Sequence, residues 1–293
     1  MADFLAGYYA RLEHEKTMRP IFVVSDLHAG DGGPCDNFAH AANGQREVEF
    51  AYFLDYVAKE NGRLIVAGDL LDFWQANMSK VLDRRYTLLD RLSRMGARYV
   101  IGNHDIDLRY FANSMLSPHP FITGVRTRYL ISVAGRNILI VHGHEEDPYC
   151  CNDYPDLGRA SAIYTGMKER RNGSPFVDGK LGTYGVETRT LGRLSWVGKV
   201  WRKLTLRTPA RQVIRKNVQS TKECHRVDAL IFGHTHEPGT FANPSRKPLG
   251  IYNAGSWCGS VPSFVRITPD GIIEVFDWID KKPIKNSCVL VVR

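Results

Sequence analysis

The chain has 293 residues, 43% of them hydrophobic and 24% charged, with a net charge of +8. That composition can bury one sizeable core plus a subdomain, and no segment approaches the length of a transmembrane helix. The six cysteines, Cys150 and Cys151 adjacent among them, show no C-x-x-C spacing, which disfavours a zinc knuckle or a disulfide frame and favours buried reduced thiols. Met1 to Pro20 puts Arg11, His14, Glu15 and Lys16 where a signal peptide needs an apolar run, so the expected location is cytoplasmic.

In chain order, Ile21 to Val24 reads as a buried strand that stops at Asp26-Leu27-His28. Glu47 to Lys59, with Val48, Ala51, Tyr52, Leu54 and Val57 apolar, reads as a helix packed on a sheet. A second strand, Leu64 to Ala67, runs into Gly68-Asp69-Leu70-Leu71-Asp72, and Val81 to Met95 is a second amphipathic helix. Tyr99 to Ile101 leads to Gly102-Asn103-His104-Asp105, and Ile138 to Val141 leads to His142-Gly143-His144. Leu230 to Phe232 ends at Gly233-His234-Thr235-His236. Gly250 to Tyr252, Ser263 to Ile267 and Ile272 to Trp278 read as successive antiparallel strands, the last two joined through Pro269-Asp270-Gly271. Five polar clusters thus follow five apolar runs, and ligand sites usually lie beyond the carboxyl ends of strands in layered α/β folds.

Imidazole and carboxylate groups suit manganese, iron or zinc, and two such ions roughly 3.5–4 Å apart can clamp an in-line displacement at phosphorus. Asp69 is the candidate bridge, because Gly68 lets its loop turn sharply. Asp26, His28 and His236 complete one metal shell and Asn103, His142 and His234 the other, with a water between the ions as nucleophile. His104, next to Asn103, is the expected general acid or charge stabiliser, and Asp72 is placed to accept a hydrogen bond from its ring. His144 is a candidate substrate-binding or supporting residue, while Asp105 either caps the following helix or touches substrate. His14, His40, His119 and His225 lack any such context.

The order DxH, GDxxD, GNHD, His-Gly-His, GHxH resembles the calcineurin-like metallophosphoesterases over Asp26 to His236. The resemblance implies an α/β fold, a four-layer αββα sandwich of two sheets flanked by helices, and the same ligand and catalytic assignments at the matching positions. Asp72-Phe73-Trp74, the Gly-His-Thr-His ending and Tyr252-Asn253-Ala254-Gly255-Ser256-Trp257 are similar to the bacterial branch that contains UDP-2,3-diacylglucosamine pyrophosphatase. That branch implies a lipid A pathway enzyme that splits a pyrophosphate bond. The chain departs from it at His104, where the best-known members carry Arg, and at His144, where they carry Asp.

Residues 158–226 hold 16 Lys and Arg against 4 Asp and Glu, so the basic character of the chain belongs to this segment. It is expected to be a lid inserted in a single 1–293 domain, with a flexible basic loop from Tyr164 to Gly185. Val197, Val200, Trp201 and Leu204 share one helical face, with Lys199, Arg202, Lys203 and Arg207 around the rest, and Ala210 to Ser220 reads as a second basic helix. Arg202 and Lys203 are candidate contacts to an anionic substrate. A basic amphipathic helix with Trp also fits peripheral contact with the inner face of a membrane. The expected partner is a phosphorylated small molecule or a lipid-linked nucleotide. A nuclease or dinucleotide phosphodiesterase of the same fold is the alternative within that chemistry, since the basic lid would attract a nucleic-acid backbone. A non-catalytic scaffold would require eroded ligands, and none is missing.

Overall fold

The structure, a computed structural model, describes residues 19–147, 227–242 and 249–291, together with the backbone of a two-residue strand at 13–14. A six-stranded sheet has the order β12-β11-β10-β2-β3-β4, built from β2 (Ile21–Val24), β3 (Arg63–Ala67), β4 (Arg98–Val100), β10 (Ser263–Ile267), β11 (Ile273–Ile279) and β12 (Lys282–Lys285). The second, seven-stranded sheet is β1-β5-β6-β7-β9-β8-β13. Its members are β1 (Glu13–His14), β5 (Arg128–Val133), β6 (Arg136–Val141), β7 (Ala229–Phe232), β8 (Gly239–Ala242), β9 (Gly250–Asn253) and β13 (Val289–Val291).

Alternation along the strands decides the layering. Ile21, Val23, Ile65 and Ala67 pack with Ile131, Ile138, Ile140, Ala229 and Ile231 in the space between the two sheets. Their sequence neighbours Phe22, Val24, Leu64 and Val66 face the other way, as the two-residue strand period requires. Those outward residues meet α2 (Arg46–Lys59) through Phe50, Phe53, Leu54 and Val57, and α3 (Met78–Arg94) through Val81, Leu89 and Leu92. Phe53 sits at the centre of this layer, with Trp257, Phe264 and Trp278 rings all within 5.3 Å of its own. Truncating it to alanine would cost about 3–5 kcal/mol. A third apolar cluster, Leu130, Leu139, Val141, Leu230 and Phe232, lies on the far face of the seven-stranded sheet.

The αββ part of the expected sandwich is therefore visible, whereas the segment expected to form a basic lid, including Arg202 and Lys203, lies outside the described residues. One expectation is corrected. Gly250 to Tyr252 does not precede Ser263 to Ile267 in one antiparallel sheet: β9 pairs parallel to β7 and antiparallel to β8, while β10 pairs with β11 and β2 in the other sheet. Asn253 to Ser263 crosses between sheets, and local alternation carries no information about which sheet a strand joins.

A buried ion network fixes the loop after β2. Asp36 caps α1 (Asn37–Gly44) by accepting the Ala39 N–H at 2.9 Å, and its other oxygen meets Arg85 of α3. Arg85 also pairs with Glu47 of α2 and donates to the Gly30 carbonyl at 2.7 Å. Three helices are thus pinned to the backbone two residues beyond His28.

Candidate metal centre

The loops after β2, β3, β4, β6 and β7 meet at one end of the two-sheet core. Loop one is tied to loop two by Asp26 N–H to Gly68 O at 3.1 Å and His28 N–H to Asp69 O at 2.9 Å. Close approach demands glycine twice. A Cβ on Gly68 would lie 2.2 Å from His142 Nδ1, and one on Gly102 would lie 2.1 Å from Asp69 Oδ1. Asp26, His28, Asp69, His234 and His236 all have φ between 49° and 62°, in the left-handed region that costs non-glycine residues about 1 kcal/mol or more each. Five strained positions in one small volume mark a site whose geometry outweighs local preference.

Each aspartate uses one oxygen to hold the loops and presents the other. Asp26 Oδ2 accepts the His234 N–H at 2.8 Å, while Oδ1 faces His236 Nε2 at 3.0 Å, His28 Nε2 at 3.6 Å and His142 Nε2 at 4.0 Å. Asp69 Oδ1 accepts the His104 N–H at 2.9 Å, while Oδ2 faces His142 Nε2 at 3.2 Å and His28 Nε2 at 3.7 Å. Asn103 Oδ1 lies 3.1 Å from His142 Nε2, and the His28 and His236 Nε2 atoms are 3.3 Å apart. All seven residues of the expected ligand set are buried or nearly so, and Asp69, His142 and His234 offer ligand atoms within 4.8 Å of one another.

Electrostatics follow from this crowding. Burial alone would raise the carboxyl pKa of Asp26 and Asp69, but the surrounding histidines hold both below the ordinary range. Burial lowers His142, yet Asp69 and Asp26 push it up to about 9. His236 is likewise raised well above its ordinary value by Asp26 and Cys258 against the effect of burial. His28 goes the other way, lowered by burial and by the neighbouring His104.

The donor set fits divalent cations. Asp26 Oδ1 is completely buried without a hydrogen-bond partner of good geometry, an expensive arrangement unless a cation takes it up. Two imidazole nitrogens bound to one tetrahedral ion at about 2.0–2.1 Å would lie roughly 3.3 Å apart, which matches His28 and His236.

The remaining expected residues fall around this cluster. Asp72 Oδ1 accepts from His104 Nδ1 at 3.0 Å and also takes the Trp74 and Gln75 N–H groups, so its position is fixed from three directions. His104 belongs as well to a group with His28 and Asp69 whose ligand atoms lie within 4.8 Å. His144 is buried, its ring 5.3 Å from that of His142 and its Nδ1 3.7 Å from Glu145, so it does not face open solvent. Asp105 precedes the short 3-10 helix Ile106–Phe111 but makes no side-chain cap. Instead it accepts from Gly102 N–H at 2.6 Å, from Leu71 N–H at 3.2 Å and from the Tyr99 hydroxyl, which ties the second and third loops together. Burial and the Asp69 charge raise its pKa to about 7.

Four residues of this centre have no role assigned to them from the sequence, although Trp74 and Asn253 lie in the segments that resemble the bacterial branch. Asp147 accepts from His234 Nε2 at 3.0 Å, and Trp74 stacks on the His104 ring at 4.2 Å and 25°. Asn253 Nδ2 donates to Gly233 O and Thr235 Oγ1, and Cys258 Sγ lies 3.9 Å from His236 Nδ1. Trp74 carries a faint signal, an aromatic directly after a motif, and Asp147 closes an acidic run. Cys258 carries none: it is the buried free thiol expected from the sequence, and no motif marks its place beside the centre.

A family model described as calcineurin-like phosphoesterase matches residues 19–238. A UDP-2,3-diacylglucosamine hydrolase from Histophilus somni is 22% identical over 262 residues, covering 87% of this chain and 98% of that protein. A protein of the same name from Salmonella typhi is 24% identical, with 76% and 88% covered. A dimetal phosphatase structure from Danio rerio aligns at 12% identity and a TM-score of 0.49, over 89% of this chain and 96% of that one.

Proposed function

The chain belongs to the calcineurin-like phosphoesterase family and is a metal-dependent phosphoesterase, and from that premise we propose that it hydrolyses the pyrophosphate bond of an acylated sugar nucleotide. The observation that carries the reading is the convergence of Asp26 Oδ1 and Asp69 Oδ2 on the Nε2 atoms of His28, His142 and His236. Asp26, His28, Asp69 and His236 would hold one divalent ion; Asp69, Asn103, His142 and His234 would hold the other, His234 through Nδ1 because Asp147 takes Nε2. Manganese is the proposed metal, with iron or zinc as alternatives. When bound, two such ions neutralise phosphoryl charge and make water a nucleophile near neutral pH.

The residues supply orientation and the proton. Asp72 accepts the Nδ1 proton of His104 and the stacked Trp74 fixes the ring plane, so Nε2 is the atom turned to the leaving oxygen, and the imidazolium form of the ring delivers its Nε2 proton there. The Ala67 carbonyl takes the Nδ1 proton of His142 at 2.9 Å, which leaves the Nε2 lone pair, beside Asp69 Oδ2 and Asn103 Oδ1, for a cation that the three would share. His144, Arg202 and Lys203 are proposed to meet the anionic substrate, the last two from the basic 158–226 segment. That segment would also bring the enzyme to the inner face of a membrane. Among the described residues no helix is long and apolar enough to cross one.

The acylated sugar nucleotide is supported by the two relatives named for UDP-2,3-diacylglucosamine. The test places UDP-2,3-diacylglucosamine, a dinucleoside polyphosphate and single-stranded DNA beside bis-p-nitrophenyl phosphate, with manganese and with chelator. Release of UMP from the acylated sugar alone is the expected result. Manganese-dependent turnover confined to DNA would move the substrate to nucleic acid, and turnover undiminished by chelation would refute the metal centre.

A further inference from the structure

Asn253 lies outside the five metal motifs, at the last position of β9, yet its wholly buried side chain reaches across to the fifth metal loop. Nδ2 donates to the Gly233 carbonyl at 3.0 Å and to Thr235 Oγ1 at 2.7 Å, while Oδ1 accepts the Gly255 N–H at 2.7 Å. Both protons of the amide and its oxygen are therefore used, and the Gly255 contact fixes which end is which. The loop so held is strained. His234 and His236 stand at φ 62° and 57° on either side of Thr235, whose N–H closes a tight turn onto the Gly233 carbonyl at 2.6 Å. Left-handed backbone is disfavoured at histidine, so bonds from outside the loop have to hold it there.

That backbone sends two neighbouring histidines to opposite flanks. The His234 ring lies 5.2 Å from that of His142 and gives its Nε2 to Asp147 at 3.0 Å, whereas His236 Nε2 meets Asp26 at 3.0 Å and lies 3.3 Å from His28 Nε2. Resting on the two-ion centre above, we propose that Asn253 is a positioning residue for it: by gripping Gly233 and Thr235, on both sides of His234, it divides the fifth loop between the two ions. The same stretch of chain holds the first loop. The Trp257 and Cys258 N–H groups point at the Asp26 carbonyl at 3.0 and 3.3 Å, and the buried Arg46 of α2 donates to the Gly259 and Ser260 carbonyls at 2.6 and 3.1 Å. Asp26 Oδ2 in turn accepts the His234 N–H at 2.8 Å. The crossover from β9 to β10 thus closes a ring of hydrogen bonds through the first and fifth loops, and Asn253 is where that ring seizes the histidines.

The test sets Thr235→Val and Thr235→Ser beside Asn253→Ala, each in the full-length protein, chelated and then titrated with manganese. Thr235→Val keeps the shape of the side chain and removes only the acceptor of the Asn253 amide. Manganese affinity should fall about 10-fold in Thr235→Val and about 10–100-fold in Asn253→Ala, while Thr235→Ser, which keeps the hydroxyl, stays close to the unaltered protein. Electron paramagnetic resonance separates positioning from plain stability. At two equivalents the unaltered protein should give the exchange-coupled signal of a manganese pair, and Asn253→Ala the six-line signal of isolated ions. Should Asn253→Ala not fold, the two Thr235 variants carry the test by themselves. Unchanged affinity in Thr235→Val, or an equal loss in Thr235→Ser, overturns the role of Asn253 and leaves the metal centre standing. A six-line signal in the unaltered protein overturns the two-ion centre itself.

Discussion

His142 gives its Nδ1 proton to the Ala67 carbonyl at 2.9 Å and His234 gives its Nε2 proton to Asp147 at 3.0 Å, whereas across the centre His28 Nδ1 has no hydrogen-bond partner and His236 Nδ1 meets the Cys258 sulfur at 3.9 Å. The first pair has its tautomers and ring planes set by strong acceptors before any cation arrives. For the second pair, burial and a soft neighbour do less of that orienting. Sharing of Asp69 between the two sides couples them, since its Oδ2 faces both His142 and His28. A centre can therefore be rigid on one flank and adaptable on the other while keeping a common bridge.

The bridge is the place to break both flanks together. Asp69→Ala should reduce hydrolysis of bis-p-nitrophenyl phosphate to the level of the chelated enzyme and lower bound metal on elemental analysis; retention of both would show that the flanks do not depend on the shared carboxylate. His104→Gln leaves the flanks filled and removes the proton donor, so turnover should fall by roughly 10²–10⁴-fold at unchanged metal content. An equal loss of metal would assign His104 to holding the ions instead.

Asp147→Asn converts the braced flank into something closer to its counterpart. Metal affinity or activity should fall by about 10–100-fold, and Asp147→Glu should recover part of it. No change would mean that the carboxylate is incidental to His234. The smallest expected effect is thermal. Because Asp69 and Asp26 raise His142 to about 9, above the ordinary histidine value near 6.5, its pairing stabilises the chelated protein fully below pH 6.5. That contribution is lost as pH rises through 9. The melting temperature of the chelated protein should drop by about a few degrees between pH 6.5 and 9.5, whereas metal-loaded protein should not show this drop.

The five strand-to-cluster junctions were legible because each apolar run and its polar end are contiguous in sequence. β2 and β10 appear with the expected bounds, β3, β6 and β7 begin one or two residues earlier than expected, and β4 is shifted by one residue at both ends. The β10–β11 hairpin through Pro269-Asp270-Gly271 was legible too, but two others were harder. β5 and β6 turn through Ala134-Gly135, and β11 and β12 through Asp280-Lys281, all four residues at positive φ. Ala and Lys are unusual in such turns, so the Asn-Gly or Asp-Gly signal that announces a hairpin is absent. The partners of the site histidines were hidden for another reason. Asp147 and His234 are 87 positions apart and Cys258 meets His236 only because β9 and β10 lie in different sheets. Such contacts are products of tertiary assembly, with no local pattern to betray them.

β2, which leads into Asp26 and His28, is flanked in its sheet by β3 on one side and by β10 on the other, Ile21 pairing with Ile267 and Val23 with Val265. During synthesis that edge of β2 stays open until β10, more than 230 residues further along the chain, has left the ribosome. Trp257 and Cys258, whose N–H groups grip the Asp26 carbonyl, arrive equally late. The consequence is one of timing: the loop that carries Asp26 and His28 gains these backbone anchors only after residues 257–267 have emerged.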